Sequence, residues 1–435
     1  MNIEEFSLTA QWTTPPVPEK RDVARIRLAI DGDVLTRISD FERKEERDYV
    51  RASAVSLALW LADNWWRLRY ESLPDGSPPS TNWRLRHELT SASGGTVWPP
   101  IMIHSTGERV LLTPSYARPM ELGAIRYVLP EIKSILGRTF ETGLDRYFDQ
   151  VRQACMCAVD GKAFVELVET IRRERADPEV VSWRRTEARL GYDPDTVPVE
   201  LMHQFSELEE VVGEAAIDEA AAATPGKLAG KVLQETLEAA TASEVIVDFS
   251  AADALTSVGL QGVEQPPWQL GKEAAQRVRQ AIGNHRGPIR TTAFSELLRT
   301  SRDVLGKRGT ASKLPYSARL RCKDREHKVA LQSANQRDRR FELSCALADT
   351  IWAKSDFGVI SRAKTDRQKF QRAFAQNFLA PYEGVREYID PEDPTKMQIQ
   401  QAAEQFHVHP NVISRLLMLE KVLPEETFEE RLEAA

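Results

Sequence analysis

The stretch "RRFELSCALADTIW", residues 339–352, decides how the C-terminal part of the chain is interpreted. Apolar residues recur through it at the spacing of an amphipathic α-helix. They are Phe341, Leu343, Leu347 and Ile351. Cys345 and Asp349 lie four residues apart, so both side chains fall on one face of that helix. The sequence therefore predicts a packed helix with two metal-binding residue types on one face.

A zinc peptidase site on such a helix has strict chemical requirements. Two histidines four residues apart bring both imidazoles to one metal, and a glutamate beside the first histidine acts as general base. A third ligand comes from another element, and one tetrahedral position stays open for water. The stretch has none of these histidines, so its interpretation depends on the segments around it.

Several segments near the stretch resemble, in order and spacing, the ImmA/IrrE family of metallopeptidases, which accompany repressors in mobile elements and regulate stress responses. The resemblance extends over residues 267–424 and includes the usual Arg-Phe pair at Arg340-Phe341. It rests on "PPWQLGKEAAQRVRQAIG", "GPIRTTAFSELLR", "HKVALQSANQRDRRFELSCALADTIW", "TDRQKFQRAFAQNFLAPYEGVREYI" and "MQIQQAAEQFHVHPNVISRLLMLEKVLP". The resemblance implies a zincin-like helical domain with a small β element.

The metal site is where this sequence departs from the family pattern. Alignment on Arg340-Phe341 puts Cys345 and Asp349 in place of the two histidines, and Ala346 in place of the general base. The helix that should supply the acidic third ligand has Gln368 there, with Asp366 upstream. Alanine cannot take a proton from water, so the usual base is missing. We expect no bound metal or other cofactor and no peptidase activity.

Length, charge and hydropathy limit the classes of protein to which the chain can belong. The chain has 435 residues, enough for about two to three domains. Its formal net charge of −7 argues against a protein whose main role is wrapping duplex DNA. The most apolar run, "ASAVSLALWLADNWW", is interrupted by Asp63 and is too short to span a membrane. No signal-peptide pattern is present, so we expect a cytoplasmic protein without a membrane partner.

The cysteines give no sign of a structural framework. Cys155 and Cys157 form a C-x-C motif, and the sequence has no second closely spaced cysteine pair. Cys322 and Cys345 are each far from any other cysteine in the sequence. We therefore expect reduced, mostly structural thiols rather than disulfides or a zinc knuckle.

The predicted fold class is α+β and mostly helical. Asp31-Gly32 and Thr106-Gly107 each mark the turn of a β-hairpin, whereas residues 44–71 read as one long helix. Helical periodicity resumes at about residue 120 and extends to about residue 242, and "EVIVDFS" predicts a short strand. The predicted organisation is an N-terminal α+β module (1–118), a helical region (119–243), a linker with a short strand (244–266) and the degenerate ImmA/IrrE-like domain (267–435).

Two similar tryptophan-arginine segments, "NWWRLRYE" and "NWRLRHE", begin at Asn64 and Asn82. Tryptophan beside arginine suits base stacking and the grip of a phosphate, so nucleic-acid or ligand contacts are one interpretation. The other is that the tryptophans pack in the core while the arginines reach outward or pair with acids. The residues concerned are Trp66, Arg67, Arg69, Trp83, Arg84 and Arg86.

These observations favour a non-catalytic pseudo-metallopeptidase that works by protein binding. The resemblance implies a regulatory, sensing or scaffolding component of a bacterial regulatory or anti-phage defence system, with a protein partner encoded nearby. One alternative is an active, zinc-dependent metallopeptidase with the unusual ligands Cys345, Asp349 and Asp366. Another is a regulator that binds nucleic acid. The sequence predicts no oligomeric state.

Overall fold

The computed structural model describes residues 4–12, 23–42, 44–75, 79–92, 98–115, 125–128, 131–155, 161–250, 265–305, 313–323 and 325–424. The chain divides into two compact units, Met1–Val197 and Pro198–Ala434. About 53% of the structure is helical and 18% is strand, so the predicted α+β, mostly helical class is confirmed. The predicted helical region, 119–243, contributes helices to both units, and most of the predicted linker, 244–266, lies outside the described residues.

The N-terminal unit (Met1–Val197) combines small antiparallel sheets with helices. Its strands are β1 (Phe6–Trp12), β2 (Val23–Ile30), β3 (Asp33–Val34), β4 (Ile38–Asp40), β5 (Glu45–Arg47), β6 (Val50–Ser53), β7 (Ile101–Ser105), β8 (Arg109–Pro114), β9 (Ile125–Tyr127) and β10 (Lys133–Leu136). Its helices are α1 (Ala54–Asp63), α2 (Trp65–Tyr70), α3 (Thr81–His87), α4 (Gly137–Cys155), α5 (Gly161–Arg175) and α6 (Pro178–Arg189). β2 pairs with β1, β3 and β6, while β8 lies between β10 and β7, and β4 between β5 and β9.

Both predicted hairpin turns of this unit are confirmed. Asp31 and Gly32 have φ angles of 49° and 86°, the left-handed pair that a two-residue turn between twisted strands requires. Gly107 connects β7 to β8 with a φ of 113°, a value that glycine adopts at little cost. Turn chemistry therefore fixed the register of these strands.

The predicted single helix over residues 44–71 is wrong. Its first part forms β5 and β6, and β6 pairs with β2 in register from Val23↔Ser53 to Ile26↔Val50. The helix starts only after Ser53, whose side chain accepts a hydrogen bond from the Ser56 amide at 3.0 Å. It is interrupted again at Asn64. Pairing with a distant strand therefore overrode the local helical periodicity.

The C-terminal unit (Pro198–Ala434) places helices around one four-stranded antiparallel sheet. The strands, β11 (Ile246–Asp248), β12 (Ser317–Lys323), β13 (Glu326–Ala330) and β14 (Phe357–Ile360), lie in the order β11-β13-β12-β14. The helices are α7 (Val199–Val212), α8 (Glu214–Ala223), α9 (Ala229–Ala242), α10 (Pro267–Ala281), α11 (Thr291–Leu297), α12 (Gln336–Trp352), α13 (Asp366–Leu379), α14 (Tyr382–Val385), α15 (Lys396–Phe406) and α16 (Pro410–Leu419).

Three helices build the core of the C-terminal unit. α13 packs against both α10 and α12, and its middle is almost completely buried. Gly271 allows the close approach of α10, because a Cβ there would lie 2.5 Å from the Phe370 carbonyl oxygen. α9 covers β12 and β13, and α8 packs against the edge strand β14. None of the described helices combines the length and apolar character that a membrane span needs.

Candidate functional site

The predicted metal-site positions come together between α12, α13 and the sheet. Asp349 is fully buried on α12, with Arg319 of β12 on one side and Arg367 of α13 on the other. The side chains of the two arginines are 1% and 5% exposed. Such burial of three charged groups is unusual unless they are paired. The three side chains therefore form a closed ionic cluster.

The Asp349 carboxylate accepts four hydrogen bonds. Arg319 Nε donates to Oδ2 at 2.7 Å, and Arg367 donates through Nε to Oδ1 at 2.6 Å and through Nη2 to Oδ2 at 2.9 Å. Gln371 Nε2 donates to Oδ1 at 2.7 Å. A carboxylate has about four lone-pair sites, so its acceptor capacity is used up. In this arrangement Asp349 has no lone pair left for a metal ion.

The electrostatics of the cluster hold Asp349 in its charged form. Burial alone would raise the pKa of this carboxyl, but the charges of Arg367 and Arg319 hold it below its ordinary value. Burial lowers the pKa of Arg367, and the charge of Asp349 raises it. The attraction to Asp349 is the larger effect, so the pKa of Arg367 lies above its ordinary value. Ser355 contributes further acceptors, since its carbonyl oxygen binds Arg319 Nη1 at 2.9 Å and its hydroxyl binds Arg367 Nη2 at 3.1 Å. Within the cluster, Arg367 Nη1 and Gln371 Oε1 are the buried side-chain atoms that have no hydrogen-bond partner among the described residues.

Gly358 of β14 makes room for this cluster. A Cβ at residue 358 would lie 1.9 Å from Asp349 Oδ2 and 2.9 Å from Arg319 Nε. No side chain tolerates such a contact, so the carboxylate occupies the space that any larger residue in the strand would need. The sheet and α12 are in direct contact here, and no open cleft separates them.

The other two predicted positions on α12 are part of the core. Cys345 is buried, its Sγ lies 3.6 Å from the Gln371 carbonyl oxygen, and burial raises the pKa of its thiol strongly. A protonated thiol is a poor metal ligand, because the thiolate is the form that binds. Ala346 is fully buried in the same apolar cluster. Neither residue presents a reactive group to solvent.

Gln368, at the position of the expected third ligand, binds backbone instead of metal. Its Nε2 donates to the Val359 carbonyl at 2.8 Å, and its Oε1 accepts from the Ser361 amide at 2.8 Å. Gln371 Nε2 lies 3.2 Å from the same carbonyl. These bonds satisfy groups on β14, the edge strand, which an added strand would otherwise bind. Asp366, the upstream acid, is the first residue of α13 and is buried.

No three His, Cys, Asp or Glu side chains within the described part of the chain are grouped so that they could hold a metal ion. Cys322 and Cys345 are free thiols. Cys157 and the side chain of Cys155 lie outside the described residues.

The tryptophan-arginine segments lie in the N-terminal unit, and their side chains have internal partners. Each arginine forms at least one ion pair: Arg67 with Glu71 and Asp193, Arg69 with Glu141, Arg84 with Glu88, and Arg86 with Asp63 and Asp193. Trp66 is buried and its Nε1 donates to Glu174 at 2.9 Å. Trp83 is buried and stacks on His87 with 4.0 Å between ring centroids. This geometry favours the structural interpretation, and nucleic-acid contacts by these residues stay a prediction.

A buried histidine-carboxylate pair was not identified from the sequence. His87 Nδ1 lies 2.7 Å from the Ile103 carbonyl oxygen, and Nε2 lies 2.9 Å from Glu71 Oε2. Each ring nitrogen therefore lies within hydrogen-bond distance of an oxygen, one from the backbone and one from a buried carboxylate. Burial raises the pKa of Glu71, but His87 and Arg67 lower it by more. The i, i+4 spacing of Arg67 and Glu71 was the one local signal for this network.

Comparison with known proteins adds no family. No protein-family model matches the chain, and no curated protein or solved structure matches it.

Proposed function

We propose that this chain is a non-catalytic pseudo-metallopeptidase that acts by binding another protein. Its C-terminal part would be a degenerate relative of the ImmA/IrrE metallopeptidases, in which the fold is kept and the zinc chemistry is lost. The observation that carries the proposal is the state of Asp349. All four of its acceptor positions are occupied by Arg319, Arg367 and Gln371, where a ligand would need a free lone pair.

The surroundings of the cluster support the same proposal. Hydrolysis at a zinc site needs a metal, a base near the attacking water and space for a substrate. Ala346 offers no base, the Cys345 thiol stays protonated, and Gly358 lies against the Asp349 carboxylate. Gln368 binds the Val359 carbonyl of the edge strand β14, and α8 packs against the same strand, where an extended peptide would otherwise add.

A binding role is the simplest use of such a scaffold. We propose a regulatory, sensing or scaffolding role in a bacterial regulatory or anti-phage defence system, with a cytoplasmic protein partner encoded near the gene. Co-expression of the full chain with the product of each neighbouring gene, followed by size-exclusion chromatography, tests this part. A stable co-eluting complex is expected, and a chain that elutes alone in every case would refute it.

Metal analysis separates the proposal from an active peptidase with unusual ligands. Protein purified without chelator from zinc-supplemented cells is expected to hold far less than one zinc per chain. Cys345→Ala is expected to leave that value unchanged. One zinc per chain that is lost in Cys345→Ala or Asp366→Ala, together with chelator-sensitive cleavage of a peptide library, would overturn the proposal.

A further inference from the structure

Arg340 of α12 is a buried arginine without a carboxylate partner. It differs in this from Arg319 and Arg367, which both pair with Asp349. Arg340 is fully buried, donates from Nη2 to the Ile289 carbonyl at 2.5 Å, and lies over the Phe294 ring at 4.9 Å. Its Nε and Nη1 have no hydrogen-bond partner among the described residues. Burial lowers its pKa to about 10, so it remains charged at neutral pH. An uncompensated buried charge of this kind is costly unless an anion is near.

Two more arginines lie around Arg340 on the solvent side. Arg337 is on the first turn of α12 and is half-buried, while exposed Arg290 directly precedes α11. The two elements are joined here, since Gln336 Nε2 donates to Thr291 Oγ1 at 3.3 Å. Neither arginine forms an ion pair within the described part of the chain, and Asp338 of the same helical turn does not pair with them.

His407 brings a fourth nitrogen-bearing side chain to the same place. It ends α15 in the left-handed conformation, with a φ of 54°, and its side chain is exposed. Its pKa is lowered by partial burial and by the charges of Arg340, Arg337 and Arg290. The same three arginines therefore act on one imidazole, which is mostly neutral at pH 7 and can donate a hydrogen bond.

We propose that Arg290, Arg337, Arg340 and His407, here called the arginine patch, form a binding site for a phosphoryl group. Arg290, Arg337 and His407 would contact the oxygens, while buried Arg340 would contribute its charge through a medium of low dielectric constant. Three guanidinium groups without a carboxylate carry a formal charge of +3. A phosphate dianion offsets more of this charge than a single carboxylate does, and its oxygens match several guanidinium forks.

The patch is independent of the proposed binding role and of the Asp349 cluster. It accounts for three arginines that lie together without an ion pair among the described residues, in a chain whose net charge is −7. The phosphoryl group could belong to a small phosphorylated molecule or to the backbone of a nucleic acid, and the chemistry of recognition is shared.

Pyrophosphate is the first probe for the site. The full chain is titrated by calorimetry at constant ionic strength, alongside Arg290→Gln/Arg337→Gln and the control Arg386→Gln. Arg386 is an exposed arginine of the same unit that pairs with Glu383 at 3.4 Å. We expect saturable binding that weakens by about tenfold or more in the double variant, because charge-assisted hydrogen bonds are lost. The control is expected to bind within about twofold of the wild type, since exposed pairs contribute little.

The buried arginine has its own variant. Arg340→Met keeps the volume and removes the charge, so we expect a smaller increase in melting temperature on pyrophosphate addition than in the wild type. If Arg340→Met does not fold, the Arg290→Gln/Arg337→Gln variant still tests the proposed site, because Arg290 and Arg337 both reach solvent.

Three further probes complete the test. Sulfate that binds as tightly as pyrophosphate, or an acidic peptide that binds where pyrophosphate does not, would overturn the assignment. Equal binding by the double variant and the wild type would do the same. Competition between pyrophosphate and a short single-stranded oligonucleotide supports a nucleic-acid source for the phosphoryl group. Pyrophosphate binding without such competition supports a small molecule.

Discussion

Asp349→Ala tests whether the buried cluster of Asp349, Arg319 and Arg367 is a structural ion cluster. The substitution removes the carboxylate and leaves Arg319 and Arg367 buried, with side chains only 1% and 5% exposed. No other carboxylate among the described residues forms an ion pair with either arginine. The folded state therefore has to hold two adjacent buried cations, and we expect a large loss in the free energy of unfolding.

The size of this loss follows from the contacts. Each of the four hydrogen bonds to the carboxylate is charge-assisted and contributes roughly 1.5–3 kcal/mol, but bonds to one group are not additive. Measured removal of one partner from a buried pair costs about 3–5 kcal/mol. We expect that range for Asp349→Ala. A domain is stable by about 5–15 kcal/mol, so the C-terminal unit would come close to unfolding.

Urea denaturation followed by circular dichroism measures the effect. Asp356→Ala is the matched control, because Asp356 is 72% exposed and pairs with Arg321 at 3.5 Å in the same unit. Exposed pairs contribute under about 1 kcal/mol. The triple variant Arg319→Met/Asp349→Leu/Arg367→Met removes all three charges and is expected to regain most of the stability. A loss in Asp349→Ala no larger than in the control, or a wild type that unfolds when zinc is chelated, would refute the reasoning.

The cluster also predicts the sign of a pH dependence. The pKa of Asp349 is lower in the folded state than in the unfolded chain, so its contribution to stability is complete above the unfolded value of about 4. That contribution is lost as the pH falls through the folded pKa. Wild-type protein should therefore lose more stability below pH 4 than a folded variant without this carboxylate, such as the triple variant.

Three further substitutions or measurements test the rest of the structure. Glu71→Gln should destabilise the N-terminal unit by about 3–5 kcal/mol in urea denaturation, because the buried carboxylate that binds Arg67 and His87 loses its charge; an unchanged unfolding midpoint would contradict this. Gly358→Ala should cost about 1–3 kcal/mol or more, since the new Cβ would lie 1.9 Å from Asp349 Oδ2; a folded variant of wild-type stability would show that the contact is not close. Iodoacetamide should label exposed Cys322 in the native chain and buried Cys345 only after denaturation, as read by peptide mass spectrometry; native labelling of Cys345 would place it in an accessible site.

Local signals predicted the elements that depend on local chemistry. The Asp31-Gly32 turn and the helix of residues 339–352 could both be predicted, because turn geometry and helical spacing are determined by neighbouring residues. The strands within residues 44–53 could not be predicted, since β5 forms by pairing with β4 and β6 by pairing with β2. The nearest β2–β6 partners, Ile26 and Val50, are separated by 24 positions in the sequence. Pairing with another strand cannot be recognised from the residues of the segment itself, so its helical periodicity predicted the wrong secondary structure.

The candidate site, too, could be predicted only in part from the sequence. The predicted resemblance singled out Cys345, Asp349 and Gln368, and the structure places all three at the contact of α12, α13 and β14. It did not identify the partners of Asp349, because Arg319 is 30 residues and Arg367 is 18 residues away along the chain. An arginine in a strand and an aspartate on an apolar helix are each unremarkable alone. Their pairing exists only in the folded unit.

The cluster also predicts that zinc-peptidase ligands placed on α12 alone would not create a metal site. Histidines at Cys345 and Asp349 with glutamate at Ala346 would reproduce the ligand pattern of a zinc peptidase on the helix. The two arginines beside residue 349 would remain, and a divalent cation would then lie against two buried positive charges. Coulomb repulsion in this medium would exclude the metal until Arg319 and Arg367 were also replaced. Metal binding at this place is therefore opposed by residues of β12 and α13 as much as by the residue types at positions 345, 346 and 349 of α12.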